Sequence, residues 1–93
     1  MPRKSALESM MDFVQTYLSG KIDRMDFDLD FNDLLVQSYP AMRRQSPKIA
    51  DCFVFYLSEE GYAQTLGMSD GEHKKLIRKQ FAEFKSALSD GIL

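Results

Sequence analysis

Four helix-start signals divide this chain, and they constrain its fold more than any other feature. Ser5 stands three residues ahead of Glu8, and Ser69 three ahead of Glu72. Each pair is a capping box, in which both side chains satisfy an orphan N–H at a helix start. Asp23 suits the N-cap of another helix, and Ser46-Pro47 sets proline at a first helical position, where no N–H is needed. Behind each signal apolar residues recur at helical spacing. Leu7, Met11, Val14 and Leu18 do so first, with Met10 and Tyr17 widening the stripe; Phe27, Phe31, Leu34 and Leu35 follow. Ile49, Cys52, Phe53 and Tyr56 mark the third, and Leu76, Ile77, Phe81, Phe84 and Leu88 the fourth.

Stop signals complete the pattern. Gly20 can take the left-handed conformation beyond a last turn, Pro40 breaks a helix, and Gly61 follows Glu59 and Glu60, where the third helix should end. The spacing therefore predicts helices at about 6–19, 24–38, 47–60 and 70–89. The third, apolar nearly all round, is expected to be the most buried. Residues 61–71, GYAQTLGMSDG, read as a connection with room for one short turn. At 93 residues the chain is one domain, 1–93, and four amphipathic helices with short links predict an all-α fold, a small antiparallel four-helix bundle.

Several functions are poorly served by this composition. The longest unbroken apolar run, Cys52 to Leu57, is far short of the roughly 20 residues of a membrane span. The start, MPRKSALES, is basic but lacks a hydrophobic signal core. One cysteine makes no internal disulfide, and with the lone His73 it makes no metal cluster. A cytoplasmic protein with no cofactor and no metal is the expectation. Catalysis has little to work with: His73, beside Lys74, reads as solvent-facing, and Cys52, on an apolar helix, as a buried structural thiol. There is no phosphate loop. A carrier-protein role would need a serine in an Asp-Ser-Leu setting, and the nearest strings, LSD at 88–90 and MSD at 68–70, run in the wrong order.

Charge is unevenly spread. Residues 73–85 hold Lys74, Lys75, Arg78, Lys79 and Lys85 against Glu83, a local +4 within a chain of net −2. Direct nucleic-acid binding would need aromatics free to stack, and Phe81 and Phe84 read as core, so a solvated face is the plainer reading. Residues 23–33, DRMDFDLDFND, hold five carboxylates against the single base Arg24. The stretch alternates like a strand, but aspartate is disfavoured in strands. As a helix, its rotation gathers Asp23, Asp26, Asp30 and Asp33 into the arc next to the phenylalanines, with Asp28 on the far side of the apolar stripe. Asp23 and Asp26 help a helix start. Asp30 and Asp33 lie beyond the first turn and repel one another at roughly a few tenths of a kcal/mol per pair. A function needing a dense anionic surface accounts for them.

The motifs FVQTYLSGKIDRMDF (13–27), SPKIADC (46–52), EEGY (59–62) and RKQFAEF (78–84), in this order and spacing, resemble the colicin D immunity protein family. The resemblance runs from about Leu7 to Leu88. That family comprises small helical-bundle proteins that neutralise tRNA-cleaving bacterial toxins, and it extends to immunity proteins of contact-dependent growth inhibition. The resemblance implies a non-catalytic inhibitor whose partner is the C-terminal nuclease domain of a cognate toxin, with no direct nucleic acid, no membrane and no small-molecule substrate. It implies a toxin-binding role for Glu59 and Glu60, with Tyr62 as an aromatic anchor. The connection after Glu60 is less acidic than the family leads one to expect, with AQTLGM at 63–68.

The residues' own pattern adds Asp30, Asp33, Asp23 and Asp26 to this surface, and Asp70 and Glu72 extend it if the last connection folds against it. A rigid acidic face fits the positive cleft of an RNase, setting carboxylates where phosphates would lie. Two alternatives stand beside this expectation. One is an acidic helical adaptor or anti-regulator of another basic protein; the other is a nucleic-acid binder using the basic last helix.

Overall fold

The computed structural model describes residues 4–90, and among them every regular element is helical. Helix α1 spans Ala6–Leu18, α2 Arg24–Gln45, α3 Pro47–Phe53 and α4 Asp70–Ser89. A π-helical segment, Val54–Glu59, continues α3, and a single 3-10 turn, Tyr62–Gln64, interrupts the connection to α4. None of these helices is long and apolar enough to cross a membrane.

Local chemistry fixes the helix ends. Both capping boxes are formed: Ser5 Oγ accepts from Glu8 N at 3.1 Å, and Ser69 Oγ from Glu72 N at 3.2 Å. Asp23 Oδ1 accepts from Asp26 N at 2.9 Å, and Ser46 Oγ from Ile49 N at 3.3 Å ahead of Pro47. After α1, Gly20 takes φ +85°, and the N–H groups of Gly20 and Lys21 return to the carbonyls of Tyr17 and Thr16. This pair of bonds is the Schellman arrangement, which needs a residue tolerant of the left-handed region.

The second helix does not stop at Pro40. It runs to Gln45, past the expected end near Ser38. Proline lacks the N–H that would reach the Val36 carbonyl, but Val36 and Pro40 are both exposed, where water can satisfy that oxygen. The turns beyond it are held from elsewhere. Met42 is buried, and Tyr39 and Arg43 both bond the Asp51 carboxylate on α3, Arg43 at 3.0 Å.

Helix α1 packs on α2, α2 on α3, and α4 against all three. The buried line of α1 is Met10, Val14 and Tyr17, with Leu7, Met11 and Leu18 half-buried beside it. An aromatic ladder crosses the middle of the core. Phe13 and Tyr17 stack on Phe27 at 5.5 and 4.5 Å, Phe27 on Phe31 at 5.0 Å, and Phe31 meets Tyr62 at 5.3 Å. On the other side Phe53 and Phe84 meet edge to face at 5.2 Å. Each fully buried phenylalanine contributes about 1.5–3 kcal/mol of apolar transfer, so this ladder is what locks α1, α2 and the connection together.

The third helix is not the wholly buried element its composition suggests. Ala50, Phe53 and Leu57 are buried, Val54 and Tyr56 half-buried, and Phe55 is exposed. A domain this small leaves each helix one face toward water. Cys52 is likewise half-buried rather than buried, and burial still pushes its thiol above the ordinary value, so the reactive thiolate is disfavoured.

Candidate functional site

The first half of α2 carries two polar systems on opposite sides. On the solvent side, Asp23, Asp26, Asp30 and Asp33 are all exposed. The first two are accounted for at the helix start, where Asp23 caps and Asp26 lies in the first turn. Asp30 and Asp33 have no hydrogen-bond or salt-bridge partner among the described residues, and their carboxylates are free to meet another molecule.

On the inner side Asp28 is half-buried and shared. Its Oδ1 lies 2.8 Å from His73 Nε2, and its Oδ2 lies 3.4 Å from Arg24 Nε. His73 Nδ1 in turn lies 2.7 Å from the Tyr17 hydroxyl. With its proton on Nε2, His73 donates to Asp28 and accepts from Tyr17, so one network joins α1, α2 and α4. The solvent-facing place expected for His73 is therefore wrong: the imidazole is 0% exposed. Its position was readable, since His73 stands four residues before Ile77 on the line that continues to Gln80 and Phe84, all buried. Lys74 beside it pointed the other way. Burial chiefly, and the nearby Asp28 carboxylate next, raise the Tyr17 hydroxyl above its ordinary value near 10.0. Both ring nitrogens of His73 are occupied and the ring is fully buried, so this network ties the three helices together.

Arg24 extends the network to the last connection. Its guanidinium donates to the carbonyls of Thr65, at 3.0 Å, and Met68, and lies 3.3 Å from Asp70 Oδ1. Tyr62 adds a second tether, its hydroxyl donating to the Asp28 carbonyl at 3.3 Å while its ring packs on Phe31. Residues 62–70 are thus bound along the acidic half of α2. This brings Asp70 into the lining of a cleft of about 490 Å3, with Asp23, Arg24, Met25, Asp28 and Leu29.

Glu59 and Glu60 stand exposed where the π-helical segment enters this connection. Gln64 Nε2 donates to the Glu59 carbonyl at 3.0 Å, and the Glu60 N–H reaches the Phe55 carbonyl at 2.9 Å. Gly61 makes the turn possible. A Cβ there would lie 2.7 Å from the Leu57 carbonyl oxygen and 3.0 Å from that of Tyr56. Glu72 is exposed and held by Ser69, whose hydroxyl and N–H both donate to it and lower its carboxyl below the ordinary 4.5. Tyr62, expected as an anchor for a partner, is half-buried and already engaged on α2, so it positions the connection. Of the expected site residues, Asp23 and Asp70 come together at this cleft, Asp26, Asp30 and Asp33 lie on the other flank of α2, and Glu59 and Glu60 stand at the entry to the connection. Arg24, Asp28, Tyr17 and His73, which organise the cleft side, were missed.

The basic stretch of α4 is partly spent within the fold. Lys74 Nζ sits 5.1 Å over the Tyr17 ring, Lys85 Nζ 4.6 Å over Phe81, and Arg78 donates to the Leu18 carbonyl at the end of α1 at 3.3 Å. Among the described residues no group of histidine, cysteine and carboxylate side chains could hold a metal ion. No protein family, curated protein or solved structure matches this chain.

Proposed function

We propose that this protein is an immunity protein, a non-catalytic cytoplasmic inhibitor that binds the nuclease domain of a cognate bacterial toxin through its acidic side. In this reading the four helices form an antiparallel bundle that acts as a stiff carrier for carboxylates. The observation that supports it best is the tethering of residues 62–70 to α2 by Arg24 and Tyr62. That tether holds Asp70 beside Asp23 and Asp28, while Asp30 and Asp33 are exposed on the other flank without a partner among the described residues, so α2 carries carboxylates on both margins of its outer face.

The physical logic is substitution. An RNase that holds a polynucleotide offers a positive cleft, and fixed carboxylates occupy the places of phosphates while excluding the substrate. Complementary charge also raises the encounter rate toward roughly 10⁸–10⁹ M⁻¹s⁻¹ at low salt. Close charge pairs that lose water on binding couple by about 1.5–7 kcal/mol. The self-repulsion of Asp30 and Asp33 on the free helix, a few tenths of a kcal/mol, is small beside that.

The direct test is co-purification with the product of the neighbouring gene, which this reading expects to carry a nuclease domain, together with survival of cells that express that domain. Reversing Glu59 and Glu60 to lysine, or Asp30 and Asp33 to lysine, should weaken the complex by about 2 kcal/mol or more where they act as hot spots. Circular dichroism should stay unchanged. If neither double variant alters affinity, the acidic surface is not the binding site; if no neighbouring nuclease is bound at all, the immunity reading itself is lost.

A further inference from the structure

The outward face of α2 is apolar along one line as well as acidic along another. Met25, Leu29 and Val36 are 70%, 67% and 65% exposed, and at 3.6 residues per turn they fall within about 40° of one another. Single exposed apolar residues are ordinary, but several aligned on one helix form a patch. Asp26, Asp30 and Asp33 occupy the adjoining arc. At the other margin lies the cleft whose walls include Met25, Leu29 and the carboxylates of Asp23, Asp28 and Asp70, with Arg24 as its one base. Beside it Leu66, 97% exposed, stands on the tethered connection.

We infer that this face is a docking surface for an amphipathic helix of another protein, one with an apolar stripe bordered by lysine or arginine. The proposal rests on the acidic side being the partner-facing one, and it names the chemistry of what covers it. Length fits: Met25 to Val36 spans about 16 Å of helix axis, some three turns of a partner helix. Charge decides between occupants. A second copy packed face to face on this line would bring Asp26, Asp30 and Asp33 against their own counterparts, and like charges across an interface are repulsive. A helix with basic flanks instead meets carboxylates on both margins while its apolar stripe covers Met25, Leu29 and Val36. This is the common interface plan of an apolar centre inside a polar rim, in the helix-on-face mode of recognition.

The test uses the full chain and two synthetic 18-residue peptides of one leucine–lysine composition. One gathers the leucines on a single helical face; the other scatters them. Binding is read by fluorescence anisotropy and by amide shift mapping. The gathered peptide should bind at least tenfold more tightly, with shifts centred on Met25, Leu29, Val36 and Leu66. Met25→Ser/Leu29→Ser should weaken it about tenfold, and Asp30→Asn/Asp33→Asn should weaken it and flatten its salt dependence. All four positions are exposed, so the variants keep the fold, as circular dichroism would verify. Equal binding of the two peptides, indifference to the serine pair, or shifts centred on another face would each overturn the proposal. So would a concentration-dependent dimer that Leu29→Ser disperses, or co-sedimentation with phosphatidylcholine vesicles that Leu29→Ser abolishes. A toxin domain that loses affinity for the Asp30/Asp33 variant but not for the serine pair would overturn this proposal and leave the immunity reading standing.

Discussion

The Nε2 of His73 lies 2.8 Å from Oδ1 of Asp28, joining α4 to α2 between residues 45 apart in the chain. The same imidazole takes the Tyr17 hydroxyl at 2.7 Å, so three helices meet on one ring. No buried side-chain nitrogen or oxygen among the described residues lacks a partner. Such a network stabilises only while every member is satisfied, because an orphaned buried group carries its full desolvation cost.

Removing the acceptor alone should therefore be worse than changing its charge. Asp28→Ala leaves the His73 Nε2–H unpaired in the core and should cost about 1–3 kcal/mol or more. Asp28→Asn keeps an oxygen within reach of His73, though a neutral one, and loses the Arg24 contact, which is partly exposed, so its loss should be the smaller. Urea unfolding of the two variants measures the difference, and equal losses would count against the hydrogen bond.

Tyr17 sets an alkaline limit. Its folded-state value is raised above 10.0, mainly by burial, so the folded protein holds this proton more tightly than the unfolded chain. The associated stability is fully present below about pH 10 and declines as the pH rises through the folded value. Tyr17→Phe should be less stable than the parent at neutral pH by about 1–3 kcal/mol, since His73 Nδ1 loses its donor. That gap should narrow above pH 10. A gap that stays constant to pH 11 would separate the Tyr17 proton from stability.

The helix starts were legible in the sequence because their chemistry is local. Ser5 with Glu8, Asp23, Ser46-Pro47 and Ser69 with Glu72 each bond a backbone group within three residues. Pro40 was misread because its cost depends on whether the Val36 carbonyl faces water, which tertiary packing decides. The same divide runs through the site. Rotation along α2 separates Asp30 and Asp33 from the phenylalanines, but nothing local tells that Tyr62 and Arg24 will fasten residues 62–70 along the Asp28 flank of the same helix. His73 is the instructive miss: its spacing to Ile77 is a core signal, and the charged neighbour Lys74 masks it.

Gly61 should tolerate no side chain. Its place, against the Leu57 and Tyr56 carbonyls, is closed by backbone, which has no rotamer to yield. Gly61→Ala should destabilise by about 1–3 kcal/mol, the range of overpacking. It should also disturb the presentation of Glu59 and Glu60, which precede the turn. Gly71→Ala, within α4 where an added Cβ meets nothing within 4 Å, is the control and should hold or raise the melting temperature. Similar melting temperatures for the two variants would contradict the close approach.

Arg24 separates positioning from charge. It is the one base within the acidic stretch 23–33, so a purely Coulombic account expects Arg24→Ala to make the face more negative and bind a basic partner more tightly. The geometry argues the reverse. Arg24 holds the Thr65 and Met68 carbonyls and pairs with Asp28 and Asp70, and only a branched, planar donor reaches several such acceptors at once. Without it, residues 62–70 lose their charged tether, worth about 1.5–3 kcal/mol for hydrogen bonds of this kind. Amide exchange at Thr65 to Met68 should accelerate while the middle of α4 stays protected, and affinity for the basic partner should fall despite the added negative charge. Arg24→Lys, with a single ammonium, should recover little of it. Tighter binding by Arg24→Ala would mean that net charge, and not the fixed placement of the connection on α2, governs this surface.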